Sequence, residues 1–457
     1  MAIKQAAVLK IMEEAAKARL LTASLSEISG GWLALADTEK GRRLLCAARE
    51  ACPAAALFKT EEVIHDNGID VYVMALNANN AAVLRRFVRW TAPSACGGKG
   101  LSIGFTDLLG EGTYFLPPFF AKRQIKPVLV DQTPEDCLLA GRNFLEAVDA
   151  ATWAVFANGC KGGYGACATK LTTEEDLVKV LLYGYSMVAL DLGDKINRSI
   201  EKMTDGEVAD AYEELPREFR EAVEATYLNN TFKAGRRTTI SYTPESLRRI
   251  VLMFGEVIMR AQSLYNSYLK NTPWDIDFEL CLSLGDRVLT PEEHYLVGLE
   301  LTRNKVGLTS VGLEAGLEGR SPELAAHADI AEACGYRLSF AGADQLDDEA
   351  FGRLVKIVGR RGYLRFEKLL WQAALQCVEA RAPELLAELA AFSETDIKTS
   401  EGFGTIAQAE TQPSERAGIL LPEQGNFAAR IRTVLQERRE DYAQKIAAPI
   451  ENRLKKL

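Results

Sequence analysis

The chain has 457 residues, of which 47 % are hydrophobic and 26 % are charged. This length exceeds the roughly 100–200 residues of one ordinary domain, and the composition excludes a mainly disordered chain. Lysine and arginine total 54 against 63 acids, which gives a net charge of −9. Such a balance argues against a nucleic-acid-binding protein, because a nucleic-acid surface needs clustered surplus cations.

The first residues predict an amphipathic helix rather than a signal peptide, because Glu13, Glu14 and Lys17 interrupt the apolar run. No stretch of about 18 uninterrupted apolar residues is present in the sequence, so no membrane span is expected. The nine cysteines are scattered and never form a Cys-x-x-Cys pair. This spacing favours reduced thiols over a disulfide framework or a structural zinc site, and predicts a cytoplasmic protein.

Residues 1–95 are predicted to form a small α/β domain. Hydrophobic periodicity and β-branched content predict, in chain order, a helix over 6–25, a strand from Trp32, a helix over 42–51, a strand over 69–75 and a helix over 79–90. A cluster of proline, serine and glycine after Thr91 marks the connection to the next domain.

Residues 96–370 carry a repeated pattern of short strand, loop and helix. The candidate strands are 101–105, 127–130, 165–169, 187–190, 278–282, 307–313, 337–340 and 363–366. Several of the helical stretches between them begin with Thr-Pro or Ser-Pro, which is typical of a helix N-terminus. Short apolar strands that alternate with amphipathic helices predict parallel βα units, and eight such units match the size of a (β/α)₈ TIM-like barrel.

Two regions fall outside this repeat. A long and mostly helical stretch at about 194–270 is interpreted as an insertion between the fourth and fifth barrel strands. Residues 371–457 are predicted to form a helical C-terminal extension. Its last helix is strongly charged and is a candidate for a subunit contact in a homo-oligomer.

Candidate site residues follow from the barrel, because the active site of this fold lies on the loops at the carboxyl ends of the strands. The catalytic candidates are Asp107, Lys170, Asp191, Glu314 and Asp344, and the substrate-binding candidates are Asp131, Ser283, Asp286 and Arg365. Several carboxylates at one barrel mouth can bind a divalent cation or act as acid and base. The alternative is that each aspartate caps the helix after its strand.

Lys170 has two interpretations. A lysine that is desolvated in a barrel can form a Schiff base with a ketose, whereas most lysines are solvated loop residues. The histidines, which are His65, His294 and His327, lie away from the predicted strand ends. A Ser-His-Asp or a histidine-rich zinc mechanism is therefore not expected. The glycine-rich stretch from Gly159 has neither P-loop nor Rossmann spacing and is interpreted as a flexible active-site loop.

Several segments between about residues 101 and 339 resemble, in order and spacing, the tagaturonate/fructuronate epimerase family. They are Asp149-Ala-Ala-Thr-Trp-Ala-Val-Phe-Ala-Asn-Gly, the following Gly-Tyr-Gly-Ala and Glu-Asp-Leu-Val, Gly184-Tyr-Ser-Met-Val-Ala-Leu-Asp, Thr272-Pro-Trp-Asp-Ile-Asp-Phe-Glu, Thr290-Pro-Glu-Glu-His-Tyr and His327-Ala-Asp-Ile-Ala-Glu-Ala-Cys-Gly-Tyr-Arg-Leu-Ser. The resemblance implies a metal-dependent sugar-acid epimerase that acts on keto-uronates.

The sequence departs from the family at the motifs that the resemblance associates with the metal and the substrate. Cys167-Ala-Thr-Lys, Ser283-Leu-Gly-Asp and Phe340-Ala-Gly-Ala-Asp stand where the family has acidic and histidine-bearing motifs, Glu314 stands where it has an arginine, and Thr106-Asp-Leu-Leu-Gly replaces Gly-Asp-Arg-Leu-Gly. The family thus leads us to expect a divalent metal, but its ligands are replaced here. The cofactor of this chain is left open.

Three hypotheses follow. The first is a carbohydrate-active isomerase or epimerase that acts on a ketose or keto-sugar acid by proton-transfer or carbon–carbon chemistry. The second is a repurposed barrel paralogue that has lost the metal site and acts as a ligand-binding or assembly protein. The third is a mainly structural protein that assembles through its C-terminal helix. We adopt the first, because loops that are still rich in acids are easier to explain if some chemistry remains.

Overall fold

A computed structural model describes residues 5–49, 52–66, 68–98, 100–235, 237–282, 284–285, 287–314, 323–396 and 426–457. Within these ranges it describes the side chains of all residues except 5, 6, 314, 390 and 392–396. Two of the predicted site residues, Ser283 and Asp286, lie outside the described residues, as does the side chain of Glu314.

An antiparallel sheet with two helices forms the N-terminal region. Its elements are α1 (Gln5–Ala16), β1 (Arg19–Ile28), β2 (Gly31–Thr38), β3 (Gly41–Ala48), β4 (Thr60–Asp66), β5 (Ile69–Ala75) and α2 (Ala78–Phe87), and the strand order is β1-β2-β3-β5-β4. One face of the sheet packs against Val8 and Met12 of α1. The other face packs against a second core that contains Leu84 of α2 and Phe156.

Two sequence predictions for this sheet are wrong. The helix predicted over 6–25 ends at Ala16, where Lys17 takes a left-handed φ of 46° and β1 follows. The helix predicted over 42–51 is strand β3. Leu44 of this strand packs in one core and Leu45 in the other, so the strand is apolar on both faces. It therefore lacks the polar–apolar alternation that reveals a half-buried strand.

The described part of the central region contains eight strands that form a closed barrel, in the order β12-β13-β14-β15-β6-β7-β8-β9. These strands are β6 (Leu101–Phe105), β7 (Ile125–Gln132), β8 (Gly165–Leu171), β9 (Met187–Asp191), β12 (Asp277–Cys281), β13 (Leu308–Glu314), β14 (Arg337–Ala341) and β15 (Gly362–Phe366), while β10 (Thr231–Ala234) and β11 (Thr238–Ser241) form a separate hairpin. The predicted fold class, a (β/α)₈ barrel, is confirmed.

Helices connect and extend these strands. They are α3 (Pro117–Phe120), α4 (Pro134–Leu139), α5 (Phe144–Asn158), α6 (Glu174–Leu182), α7 (Asp205–Glu213), α8 (Arg217–Tyr227), α9 (Pro244–Leu264), α10 (Pro291–Arg303), α11 (Leu324–Cys334), α12 (Asp348–Val358), α13 (Leu369–Arg381), α14 (Pro383–Asp396), α15 (Phe427–Glu437) and α16 (Arg439–Lys455). Thr133, Thr243 and Thr290 cap α4, α9 and α10, each with proline in the first turn, as the Thr-Pro pattern predicts.

The chain divides into two compact units. The first consists of Met1–Ser94, Asp107–Ala166 and Leu370–Glu451, and the second of Ala95–Thr106, Cys167–Leu369 and Asn452–Leu457. The domain limits predicted from the sequence, which are 1–95, 96–370 and 371–457 with an insertion at about 194–270, stay a prediction. In the described residues, no helix is long and apolar enough to span a membrane.

Candidate active site

A cavity of about 530 Å³ lies at the carboxyl ends of the barrel strands of the second unit. The charged and polar side chains that line it include Thr169, Lys170, Asp191, Glu279, Ser339 and Arg365. Three of the predicted site residues, Lys170, Asp191 and Arg365, are therefore brought together at one cavity. A cavity of this size is typical of small-molecule sites.

The alternation of side chains along each strand explains why these residues face the cavity. Glu279 and Cys281 are two residues apart on β12, and both line the cavity. Arg365 and Glu367 have the same spacing at the end of β15. Because every second side chain of a barrel strand points inward, residues at this spacing share the interior.

A buried ion pair lies at the centre of the lining residues. The guanidinium of Arg365 donates from Nη2 to Glu279 Oε1 at 2.6 Å, and the Ser310 hydroxyl donates to Glu279 Oε2 at 2.6 Å. Arg365 also donates to Thr169 Oγ1 and, from Nε at 3.2 Å, to Ser339 Oγ. Glu279 is 0 % exposed and Arg365 is 3 % exposed, so several partners hold both charges in fixed positions.

Lys170 enters the cavity from an irregular end of β8. The pairing of β8 with β9 shifts register between Ala168 and Leu171, and Lys170 takes a left-handed φ of 53°. This conformation costs a non-glycine residue about 1 kcal/mol and persists only where the surrounding structure enforces it. The Lys170 side chain is exposed and forms no hydrogen bond or ion pair with the residues that the structure describes.

Asp191 ends β9 beside Cys281, its register partner on β12. Asp191 Oδ1 accepts a hydrogen bond from the Gly193 backbone N–H at 3.0 Å. Burial, and next the charge of Glu279, raise the pKa of the Cys281 thiol, and Asp191 acts in the same direction. Lys170 opposes this change of the Cys281 pKa. The thiol therefore stays protonated, and the charges of Lys170 and Asp191 both act on it.

Asp344 is hydrogen-bonded to the backbone of the turn between β15 and α13. Its carboxylate accepts hydrogen bonds from the backbone N–H groups of Glu367, Lys368 and Leu369 at 3.2, 2.9 and 2.7 Å. Burial raises the pKa of Asp344, and these backbone donors oppose the change. Asp344 is not among the described residues that line the cavity. Asp344 therefore binds backbone near the start of α13, whereas Asp347 caps α12, the helix that follows β14.

Asp107 and Asp131 belong to the first unit. The Asp107 carboxylate accepts hydrogen bonds from the Gly110 backbone at 2.9 Å, from the Thr113 backbone at 2.6 Å and from the Thr113 hydroxyl at 2.7 Å. Asp107 therefore stabilises the loop after β6. Asp131 is 1 % exposed near the end of β7. Glu314 is the last residue of β13 and pairs in register with Ala341.

Sequence reasoning missed Glu279, Thr169 and Ser339 because, apart from Arg365, it considered only residues that follow each strand. A signal for Glu279 was present. It is an acidic residue within a buried parallel strand, between Phe278 and Leu280. A charge at such a position is accommodated only if it points into a polar interior and is paired there.

The described residues do not fit a divalent metal. Among the parts of the chain that the structure describes, no group of three or more His, Cys, Asp or Glu side chains could hold a metal ion. Both oxygens of Glu279 accept hydrogen bonds from Arg365 and Ser310. No step below is derived through a metal.

The closed barrel and its charged cavity define a (β/α)₈ barrel protein with a site for a small polar molecule. The sequence profile of the family described as tagaturonate epimerase matches residues 21–415. The chain belongs to this family, as its sequence motifs predict.

Relatives that are named as tagaturonate/fructuronate epimerases match most of the chain. The tagaturonate/fructuronate epimerase of Thermotoga maritima is 26% identical over 370 residues, which cover 78% of this chain and 74% of that protein. The native crystal structure of the fructuronate-tagaturonate epimerase of Cohnella laeviribosi is 26% identical, with a TM-score of 0.84 over 100% of this chain and 99% of that one. A glycerol complex of the same enzyme is 25% identical, with a TM-score of 0.84 over 99% of each chain. These comparisons support a sugar-acid epimerase-like function and give no support to a repurposed barrel.

Proposed function

We propose that this protein interconverts two epimers of a keto-uronate, as the names of its relatives state for those enzymes. The observation that carries the proposal is the cavity of about 530 Å³ that is lined by Lys170, Asp191 and the Arg365–Glu279 pair. It combines the Lys170 ammonium, which can pair with the carboxylate of a sugar acid, with the Asp191 carboxylate, which can move a proton.

The chemistry of epimerisation explains why these groups are useful. Inverting a hydroxyl-bearing carbon requires that one of its bonds breaks and forms again on the opposite face. Near a ketone, either a C–H bond breaks to give an enolate, or a C–C bond breaks to give an enolate and an aldehyde. Both routes place negative charge on the ketone oxygen, so both need a nearby cation and a proton-transfer group.

The structure suggests different roles for the charged residues. Lys170 and Asp191 have polar atoms available to a bound sugar acid, so we assign them contact with the substrate. Arg365 is 3 % exposed and already bonded to Glu279, so it acts as a positioning residue. Its guanidinium also donates to Thr169 and Ser339 and so holds both side chains in place.

Purified protein incubated separately with tagaturonate and with fructuronate tests the proposal. Both incubations are expected to reach the same mixture, measured by chromatography. Asp191→Asn is expected to lower kcat at least about 100-fold, because it removes a proton-transfer group. The control Asp194→Asn changes a carboxylate that is 66% exposed on the same loop and is expected to leave kcat unchanged. No conversion of either sugar acid, with or without added Mn²⁺ or Ni²⁺, would refute the proposal.

The remaining expectations belong to the same proposal. We place the protein in the cytoplasm and expect it to bind no nucleic acid, in keeping with its net charge of −9. A homo-oligomer is expected through the C-terminal helix. Deleting residues 427–457 should then lower the number of chains per particle in solution, and an unchanged number would contradict that expectation.

A further inference from the structure

The charged groups of the cavity wall are almost all engaged by partners. Glu279 and Arg365 pair with each other at 2.6 Å. Asp347 caps α12 and accepts from the backbone N–H groups of Glu349 at 3.0 Å and Ala350 at 2.7 Å. Lys170 differs, because its ammonium group has no hydrogen-bond or ion-pair partner in the described part of the chain. It is therefore the amine of this wall that can react with a ligand.

The backbone at Lys170 is irregular and brings an exposed side chain to the cavity. The register shift between Ala168 and Leu171 and the left-handed φ of 53° place Lys170 on a bulge at the end of β8. Bulges next to active sites re-aim a side chain. Here the result is that Lys170 lines the cavity next to Thr169, which also lines it.

Asp191 supplies a proton-transfer group, which an amine needs to react with a carbonyl. Asp191 and Lys170 both act electrostatically on the Cys281 thiol, which lies beside Asp191 in the strand register. Asp191 Oδ1 accepts a hydrogen bond from the Gly193 backbone N–H, and Oδ2 accepts none from the residues that the structure describes, so it is available to a ligand. A carboxylate near an amine and a carbonyl can transfer the proton that must pass between them.

We propose that Lys170 forms a Schiff base with the ketone carbon of the substrate, with Asp191 as the proton-transfer group. The nitrogen bonds to the carbon, the ketone oxygen takes up two protons from the lysine ammonium and leaves as water, and the product is a protonated iminium ion. Atoms and charge balance, since ketone plus ammonium gives iminium plus water. No other reactant is required.

The iminium supplies the electron sink that epimerisation needs. Asp191 takes up the proton of the neighbouring C–H bond, or the hydroxyl proton of the carbon that leaves as an aldehyde, and the electrons of the broken C–H or C–C bond convert the iminium into a neutral enamine. The enamine carbon then regains the proton on its opposite face, or bonds to the opposite face of the aldehyde, which takes its hydroxyl proton back from Asp191. Water then hydrolyses the iminium and returns the lysine. This inference rests on the proposed function for its substrate, but its covalent intermediate can be tested separately.

Sodium borohydride tests the intermediate, because it reduces an iminium to a stable amine. The wild-type protein is treated with tagaturonate, with fructuronate and with no sugar, and then analysed by intact mass and peptide mapping. We expect one reduced sugar per chain, attached at Lys170, only when a sugar acid is present. Lys170→Arg, which keeps the charge but removes the nucleophile, is expected to abolish the adduct and the epimerisation.

The matched control is Lys195→Arg. Lys195 follows the neighbouring strand β9, and its ammonium is paired with Asp194 at 3.0 Å. This variant should form the adduct as the wild type does. No adduct in the wild type, or an adduct that persists in Lys170→Arg, would overturn the proposal. Epimerisation without an adduct would support the proposed function and overturn the Schiff base. An adduct without epimerisation would support the Schiff base and overturn the proposed function.

Discussion

The pairing of Glu279 with Arg365 determines the cost of changing either residue. A buried ion pair adds little net stability, because desolvation offsets the attraction between the charges. Loss of one partner is much more costly, since the other charge then stays buried without compensation. Both residues are at most 3 % exposed, so water cannot easily replace the lost partner.

Glu279→Gln is therefore expected to lower the free energy of unfolding by about 3 kcal/mol. The measurement is urea unfolding of the wild type and the variant. The control is Glu349→Gln, which breaks the Arg353–Glu349 pair on a helix surface, where Glu349 is 85% exposed. That change should cost less than about 0.5 kcal/mol. Equal losses in the two variants would show that the buried pair does not differ from a surface pair.

Individual residues also show which parts of the site the sequence could predict and which it could not. The rule that barrel sites lie at strand ends led to Lys170, Asp191 and Arg365, which line one cavity. The same rule also selected Asp344, whose carboxylate binds backbone N–H groups. A sequence shows that an aspartate follows a strand, but whether the carboxylate turns to the cavity or to the next helix depends on backbone geometry.

At the scale of elements, the sequence predicted the barrel correctly but did not predict part of the N-terminal sheet. The barrel strands are short apolar runs separated by helices with Thr-Pro caps, and strand β6 was predicted with its observed bounds, Leu101–Phe105. Strand β3 was mistaken for a helix because it contacts two cores. Local pattern cannot distinguish a strand covered on both faces from a buried helix.

Helix α10 allows a sharp test of packing, because Gly298 lies against another side chain. A Cβ atom at Gly298 would overlap the Tyr336 hydroxyl, which bonds to His294 Nε2 at 2.9 Å. Gly298→Ala is therefore expected to destabilise the protein by about 2 kcal/mol through overpacking. In α9, a Cβ at Gly255 would have no atom within 4 Å. Gly255→Ala should stabilise the protein by about 0.5–1 kcal/mol through helix propensity.

Opposite signs for these two glycine variants are the result to look for in thermal unfolding. If both substitutions stabilise the protein, the space around Gly298 is larger than the structure shows. If both substitutions destabilise it, helix propensity does not determine the effect of Gly255→Ala on stability.

At the scale of the whole molecule, the strands and the helices of the barrel have different roles. Its strand ends gather charged groups at the cavity, while His294 and His327 lie in α10 and α11, outside the strands, and are both 0 % exposed. The sequence predicted that these histidines lie away from the strand ends. Their Nδ1 atoms are 3.0 Å apart, so the pair bonds the two helices together while at least one ring is neutral.

This histidine pair makes the stability of the molecule depend on pH. Burial, and next the charge of His327, hold the pKa of His294 well below its usual value, and burial lowers the pKa of His327 to about 4. In the unfolded chain both would titrate near 6.5. Below that pH the unfolded state binds protons that the folded state does not, so stability is lost as the pH falls from about 6.5 to about 4.

We expect the urea midpoint to be nearly constant above pH 7 and to fall steeply between pH 6.5 and pH 4, with His327 alone contributing about 3 kcal/mol of the loss. The double variant His294→Gln, His327→Gln removes both titrating rings. It should be less stable than the wild type at pH 7 because the packing is disturbed, yet its midpoint should change less over the acidic range. The same acid slope in both proteins would show that other groups, such as the buried carboxylates, cause the loss of stability.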